Sequence, residues 1–200
     1  MITEINIDIA NSITGFMYDV ELAWLATQAT NRYRIVEIGS WVGRSTRALA
    51  DNTKGVVTAV DTWDGMDTTV TDQRAYDSVL VGKPEDWLLN QFKNNMRGLK
   101  NVRIMQMTSL EAAVALKRET FDMIFIDGSH NYEAVKADIL AWQPLLAKGG
   151  LLCGHDYEPQ FTGLIQAVRE LLPNAHLVGS GAMALGHEGF SLWVDSGEIR

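Results

Sequence analysis

At 200 residues with 46% hydrophobic side chains, the chain is long enough for one domain with an ordinary buried core, and its lone cysteine, Cys153, excludes a disulfide framework. Seventeen basic against 25 acidic residues give a net charge of -8, which argues against nucleic acid, whose phosphates need clustered lysine and arginine. The N-terminus lacks a basic region followed by a long apolar run, and no stretch reaches the roughly 18 apolar residues of a membrane span, so a cytoplasmic protein without membrane contact is expected.

Residues 1–17 carry few core signals. Ile13-Thr14-Gly15-Phe16 suits a flap over a site as well as it suits a loosely packed terminus. From Tyr18 to Thr30, Leu22, Leu25, Ala26 and Ala29 recur at helical spacing, which predicts an amphipathic helix lying on a sheet. A strand is predicted over Arg34–Ile38 and a helix after Gly43, running to about Asn52. Between them lies a turn, Gly39-Ser40-Trp41-Val42-Gly43, preceded by the acid Glu37. Glycine in such a turn lets backbone approach a ligand and present amides at a helix start. The dinucleotide fingerprint G-x-G-x-x-G would need glycine where Trp41 stands.

Val56–Val60 reads as a buried parallel strand ending in Asp61, 24 residues after Glu37, where an acid can accept hydrogen bonds from ribose hydroxyls or simply cap a loop. The E-x-G-x-x-x-G turn resembles the first motif of class I S-adenosylmethionine-dependent methyltransferases. Their cofactor carries a sulfonium, an amino-acid head and a ribose diol, groups that suit a carboxylate.

The 62–100 crossover is long for a simple βαβ unit. Asp64, Gly65, Asp67, Thr68 and Thr69 make a polar loop, Pro84-Glu85-Asp86 reads as a helix start, and Trp87, Leu88, Gln91, Phe92 and Met96 follow on that helix. A lid that recognises substrate is expected here. Asn101–Met107 is predicted as the third strand, and Ser109 stands where a hydroxyl meets adenine or caps the next helix. Trp41 and Trp63 either stack on the cofactor or pack in the core.

Phe121–Ile126, the most strand-like run, leads into Asp127-Gly128-Ser129-His130-Asn131-Tyr132-Glu133. The following helix carries Val135, Ile139, Trp142 and Leu146 on one face, is closed by Pro144, and its unit ends at Lys148-Gly149-Gly150. A fifth strand, Leu151–Gly154, then runs into His155-Asp156-Tyr157. Parallel neighbours end roughly 4.8 Å apart, so Asp127 and Asp156 can share one cation, which would lower the pKa of a substrate hydroxyl while His130 takes its proton. An amphipathic helix with Phe161, Leu164, Ile165, Val168 and Leu171 follows. Ala175–Gly179 and Phe190–Val194 form a closing antiparallel pair, with Gly181, Gly186, His187 and Gly189 in the loop between.

The D-x-x-H run at Asp127–His130 and G-H-D-Y at Gly154–Tyr157, with the Glu37–Gly43 turn, resemble a methyltransferase family that includes bacterial sugar O-methyltransferases of macrolide and glycan pathways and the cephalosporin hydroxylase proteins. The likeness spans about Thr14 to Tyr157. It implies a Rossmann-like α/β methyltransferase domain over residues 1–200: a mainly parallel seven-stranded sheet, last strand reversed, helices on both faces. It also implies S-adenosylmethionine bound through Glu37, Gly39, Ser40, Gly43, Asp61, Trp63, Ser109 and Asp127, and catalysis by His130 and Asp127.

Relatives hold magnesium through an aspartate after strand four and an acidic pair after strand five. Asp127 and Asp156 inherit those roles, while His155 replaces an acid, which leaves open another divalent cation, a missing ligand or no metal. The expected acceptor is a small-molecule hydroxyl on a sugar or natural product, and a homodimer is among the assemblies left open. A nicotinamide oxidoreductase and a non-catalytic cofactor-binding module are the competing readings.

Overall fold

Strand β1 (Arg34–Ile38) and strand β4 (Phe121–Ile126) bury nearly every side chain, and strands buried on both sides need cover on both faces. Period-two alternation sorts their residues into two cores. Ile35, Met123 and Phe125 pack toward α1 (Asp8–Ser12), α2 (Asp19–Ala29) and α3 (Arg44–Asn52), meeting Leu22, Leu25 and Leu49. Val36, Ile38, Ile124 and Ile126 face the other way, meeting Ile139 and Trp142 of α6 (Tyr132–Trp142) and Val168 of α7 (Thr162–Leu171). Each such side chain stabilises the fold by about 1.5–3 kcal/mol through burial.

The computed structural model describes residues 4–65, 77–178 and 191–195. The remaining strands are β2 (Val56–Asp61), β3 (Val102–Gln106), β5 (Leu146–Gly154), β6 (Ala175–Leu177) and β7 (Trp193–Asp195). The seven-stranded sheet has the order β3-β2-β1-β4-β5-β7-β6. Strands β1 to β5 are mutually parallel, and β7 runs antiparallel between β5 and β6. This is the Rossmann-like methyltransferase sheet, its last strand reversed. Strand order turns back between β1 and β4, and the ends of such strands are where open α/β sheets hold ligands. No helix among the described residues is long and apolar enough to cross a membrane.

Several elements differ from their predicted bounds. Strand β5 begins at Leu146, so Lys148-Gly149-Gly150 lies inside the strand, beside a register shift opposite Phe121 and Met123. Pro144 closes α6 as expected, within a 3-10 turn, Gln143–Leu145, but Leu146 falls in β5 and not on the helix face. In the crossover, α4 (Trp87–Asn95) starts after Pro84, and its Leu88 and Phe92 are buried with Trp63 as core rather than lid. Asp67, Thr68 and Thr69 lie outside the described residues, as do Gly179, Gly181, Gly186, His187, Gly189 and Phe190. The N-terminal segment is well packed where described: Ala10, Ile13 and Met17 are buried. Arg44 anchors it, donating to the carbonyls of Ala10, Asn11, Ile13 and Met17.

Gly39 joins the two strands at the turning point. Its φ is +83°, and a Cβ there would stand 2.1 Å from the Asp127 carbonyl oxygen. Gly39→Ala therefore meets both a conformational and a steric penalty. Urea unfolding of this variant should show a loss of more than about 2 kcal/mol, and a change below about 0.5 kcal/mol would contradict the contact.

Candidate active site

The parallel register sets Ile38 beside Val60 and Ile126, and Ile126 beside Gly154, so four strands deliver Gly39, Asp61, Asp127 and His155-Asp156 to one edge. The turn after β1 is shaped by Asp61. Its Oδ2 accepts from the amides of Ser40 and Trp41, both at 2.8 Å, and its Oδ1 from the amide of Trp63 at 2.6 Å. Burial raises the Asp61 carboxyl above its usual range although these amides favour its charge. Asp61 thus caps the glycine turn while still facing a cavity. Trp41 (φ 45°) and Asp156 (φ 60°) hold left-handed backbone, a strained conformation of the kind that clusters at ligand sites.

Two cavities open on this edge. The first, about 300 Å³, runs under the N-terminal segment between Phe16, Tyr18, Trp41 and Phe161, with His130, His155 and Asp156 in its floor. The second, about 460 Å³, lies over the ends of β1 and β2 and is walled by Asp61, Ser109, Ala134 and Asp138. Both are lined by Gly39, Trp41, Asp127 and Gly128, so Asp127 stands where they meet.

Around Asp127 the charges interlock. His155 is buried, its Nδ1 3.1 Å from Asp156 Oδ1 and 3.4 Å from Asp127 Oδ1. Its Nε2 lies 3.1 Å from Glu21 Oε2 and 3.0 Å from Ser191 Oγ. Burial opposes a charge on His155, but the surrounding acids Asp127, Asp156 and Glu21 raise its pKa well above the usual imidazole value. Burial raises Asp127, while Asp156, held by His130 and His155, lies below the ordinary carboxylate range despite its own burial. His130 Nε2 is 2.8 Å from Asp156 Oδ2, and its ring stacks on Phe161 at 3.9 Å. Asp127, His155 and Asp156 each offer one ligand atom, all within 4.8 Å of one another.

Other expected contacts stand elsewhere. Trp63 is buried against Phe92 and donates its indole N–H to the Trp41 carbonyl, so it lines neither cavity and packs in the core. A Cβ on Gly43 (φ +92°) would strike Met96, so that glycine admits α4 rather than a ligand. Alternation turns Glu37 to the α3 side of the sheet, where its Oε2 accepts from Ser40 and Thr46 hydroxyls and its Oε1 has no hydrogen-bond partner. Ser40 lines the first cavity, not the second. Thr108, not Ser109, caps α5 (Ser109–Ala115) through a capping box with Glu111. The Ser109 hydroxyl is tied to Asp138 and Trp142.

Glu21, Arg44 and Asp138 were not expected at the site. A signal was present for two of them: Glu21 and Asp138 interrupt the apolar stripes of α2 and α6, next to Leu22 and Ile139, where a charge needs a buried partner.

A sheet of this order, with a glycine turn and acidic strand ends around joined cavities, defines the class I methyltransferase architecture. A family model described as "Methyltransferase domain" matches residues 36–157, and the chain belongs to that family. It is 25% identical over 193 residues to the uncharacterized protein y4gI of Sinorhizobium fredii, covering 86% of this chain but only 20% of that one, so it spans a fifth of that relative's length. Among solved structures, CalS11, a calicheamicin methyltransferase, is similar with a TM-score of 0.62 at 17% identity, over 86% of this chain and 76% of that one. An O-methyltransferase from Bacillus cereus in complex with SAH matches at 0.57 and 18% identity, over 94% and 84% of the two chains. At these identities the likeness is one of fold.

Burial raises the Glu37 carboxyl from 4.5 to about 7, against the hydroxyls of Ser45, Thr46 and Ser40, which favour its charge. Between these two values the folded protein keeps a proton that the unfolded chain releases. The group's contribution is therefore present below about pH 4.5 and is lost as pH rises through about 7. Glu37→Gln should flatten the fall of the urea midpoint between pH 5 and 8 relative to the parent, and parallel pH profiles would refute this account.

Proposed function

We propose that the protein is an S-adenosylmethionine-dependent O-methyltransferase acting on a hydroxyl of a small molecule. The observation that carries this reading is the shared wall: two cavities, one acidic and able to take a nucleoside, one aromatic, meet at Asp127, Gly39 and Gly128. The cofactor lies in the second cavity, its ribose toward Asp61 and its sulfonium at the joint. The acceptor lies in the first, under Phe16 and Tyr18.

Positioning supplies most of the rate, because the acceptor oxygen and the methyl carbon are held in line. The carbon–oxygen bond forms as the sulfur–carbon bond breaks, and the hydroxyl proton passes to the His130 imidazole, whose new charge Asp156 offsets. The product is the methyl ether and S-adenosylhomocysteine. Trp41 in place of the central glycine opposes a nicotinamide cofactor.

CalS11 is a TDP-rhamnose 3'-O-methyltransferase, and a sugar ring fits an aromatic-lined first cavity, with C–H faces on Phe16 or Trp41 and hydroxyls toward His130 and Asp156. The protein works without nucleic acid or membrane in this reading.

Asp127, His155 and Asp156 fit a divalent cation, since Glu21 holds the far nitrogen of His155 and turns Nδ1 toward the two acids. The ion would supply charge that eases ionisation of a bound hydroxyl. A nitrogen donor in the set favours Mn2+ or Zn2+ over Mg2+. Titration calorimetry should show Mn2+ binding more tightly than Mg2+ and the Mn2+ heat lost in His155→Ala; equal binding of both ions by parent and variant removes the metal.

For the main reading, calorimetry with S-adenosylhomocysteine should give saturable one-site binding. With labelled S-adenosylmethionine and a panel of nucleotide sugars, His130→Ala should retain cofactor binding but lose about 10²–10⁴-fold in methyl transfer. Absence of cofactor binding by folded protein, or full activity in His130→Ala, rejects it.

A further inference from the structure

Asp138 sits in the wall of the second cavity, on the face of α6 that turns toward α5, with only 7% of its surface exposed. Its Oδ1 accepts the Ser109 hydroxyl proton, and the Ser109 oxygen in turn accepts from Trp142 Nε1 at 2.8 Å. A serine has one proton to give, and here Asp138 already takes it. The second carboxylate oxygen, Oδ2, makes no hydrogen bond among the described residues. It points to Gly128, lying 3.8 Å from where a Cβ on that glycine would stand.

That oxygen is an acceptor left for a ligand or solvent in the cavity that Asp138 lines. The same cavity is lined in part by apolar groups, Gly128, Ala134, Ala137 and Leu110. Such a wall accepts a flat ring and offers that ring one acceptor at its edge. Burial lifts the Asp138 carboxyl to about 6, against the Ser109 hydrogen bond, so near neutrality it is mostly carboxylate and only accepts. The group that completes the site is therefore a planar heterocycle bearing an amine.

We infer that Asp138 reads the 6-amino group of the cofactor's adenine, making α6, and not Ser109, the source of base specificity. This rests on the placement of the nucleoside in the second cavity proposed above. Adenine donates there from its amine, whereas hypoxanthine turns a carbonyl oxygen toward the carboxylate and is repelled. Asp61, across the cavity, is left for the ribose. No cation is needed to explain Asp138, which lies outside the Asp127–His155–Asp156 group.

The test compares S-adenosylhomocysteine with S-inosylhomocysteine by titration calorimetry on the parent protein and on Asp138→Asn. The parent should bind the inosine compound at least about tenfold more weakly, because a site built for a donor rejects an analogue that lacks it. In Asp138→Asn the amide oxygen keeps the Ser109 proton and the amide N–H₂ faces the ring, so the preference should reverse. Equal affinity of the parent for both compounds overturns the assignment while leaving the cofactor reading intact, as does a folded Asp138→Asn that keeps the parent's preference. Binding of neither compound by the folded parent rejects the cofactor reading, and the assignment with it. If Asp138→Asn does not fold, the parent's ratio decides alone.

Discussion

The close approach of two backbones at the turn of the sheet is the constraint on which the site depends. Gly39 and Asp127 end neighbouring strands, and the Asp127 carbonyl occupies the space a Cβ on residue 39 would need. That contact brings the Ser40–Trp41 turn against the Asp127–Gly128 turn with nothing between them. Both cavities then open on the same four residues, and a reacting atom in one is a neighbour of a reacting atom in the other. A side chain at position 39 would push the turns apart and with them the cavities.

The second feature is acid held out of water. Glu21, Glu37, Asp61, Asp127, Asp138 and Asp156 all approach one edge of the sheet, and each answers the cost of its burial differently. Asp61 gathers three amides, Glu21 and Asp156 gather histidines, Asp138 takes the Ser109 hydroxyl, and Glu37 keeps one oxygen without a partner. Such an edge suits a ligand that brings positive charge and hydrogen-bond donors, as a sulfonium nucleoside does. His155 is central because it touches three of these acids at once, tying α2, β4 and β5 together. An acid in its place would have set a fourth carboxylate among these three.

The N-terminal segment shows how a weak local pattern becomes definite structure. Residues 13–18 have no periodicity of their own, yet a single guanidinium, Arg44 at the start of α3, takes the carbonyls of Ile13 and Met17 together with those of Ala10 and Asn11 and fixes the segment over the first cavity. The aromatic rings of Phe16 and Tyr18 are thereby held at the mouth.

The sequence by itself determined the alternation of strands and helices, the glycine turn after β1, and the acids that end β2, β4 and β5, since these follow from hydrophobic period and from glycine at a turn, both local properties. It also carried Asp127, His130 and Asp156 as neighbours in waiting, because parallel strands must end side by side. Only the tertiary structure decided which way each residue faces. Glu37 and Trp63 sit in the motif but turn into the protein, one by strand alternation and one because α4 covers it. Ser109 gave its proton to a residue 29 positions away, and Glu21 found Ser191 across 170 positions. Such pairings depend on the packing of whole helices against the sheet, which no window of sequence contains.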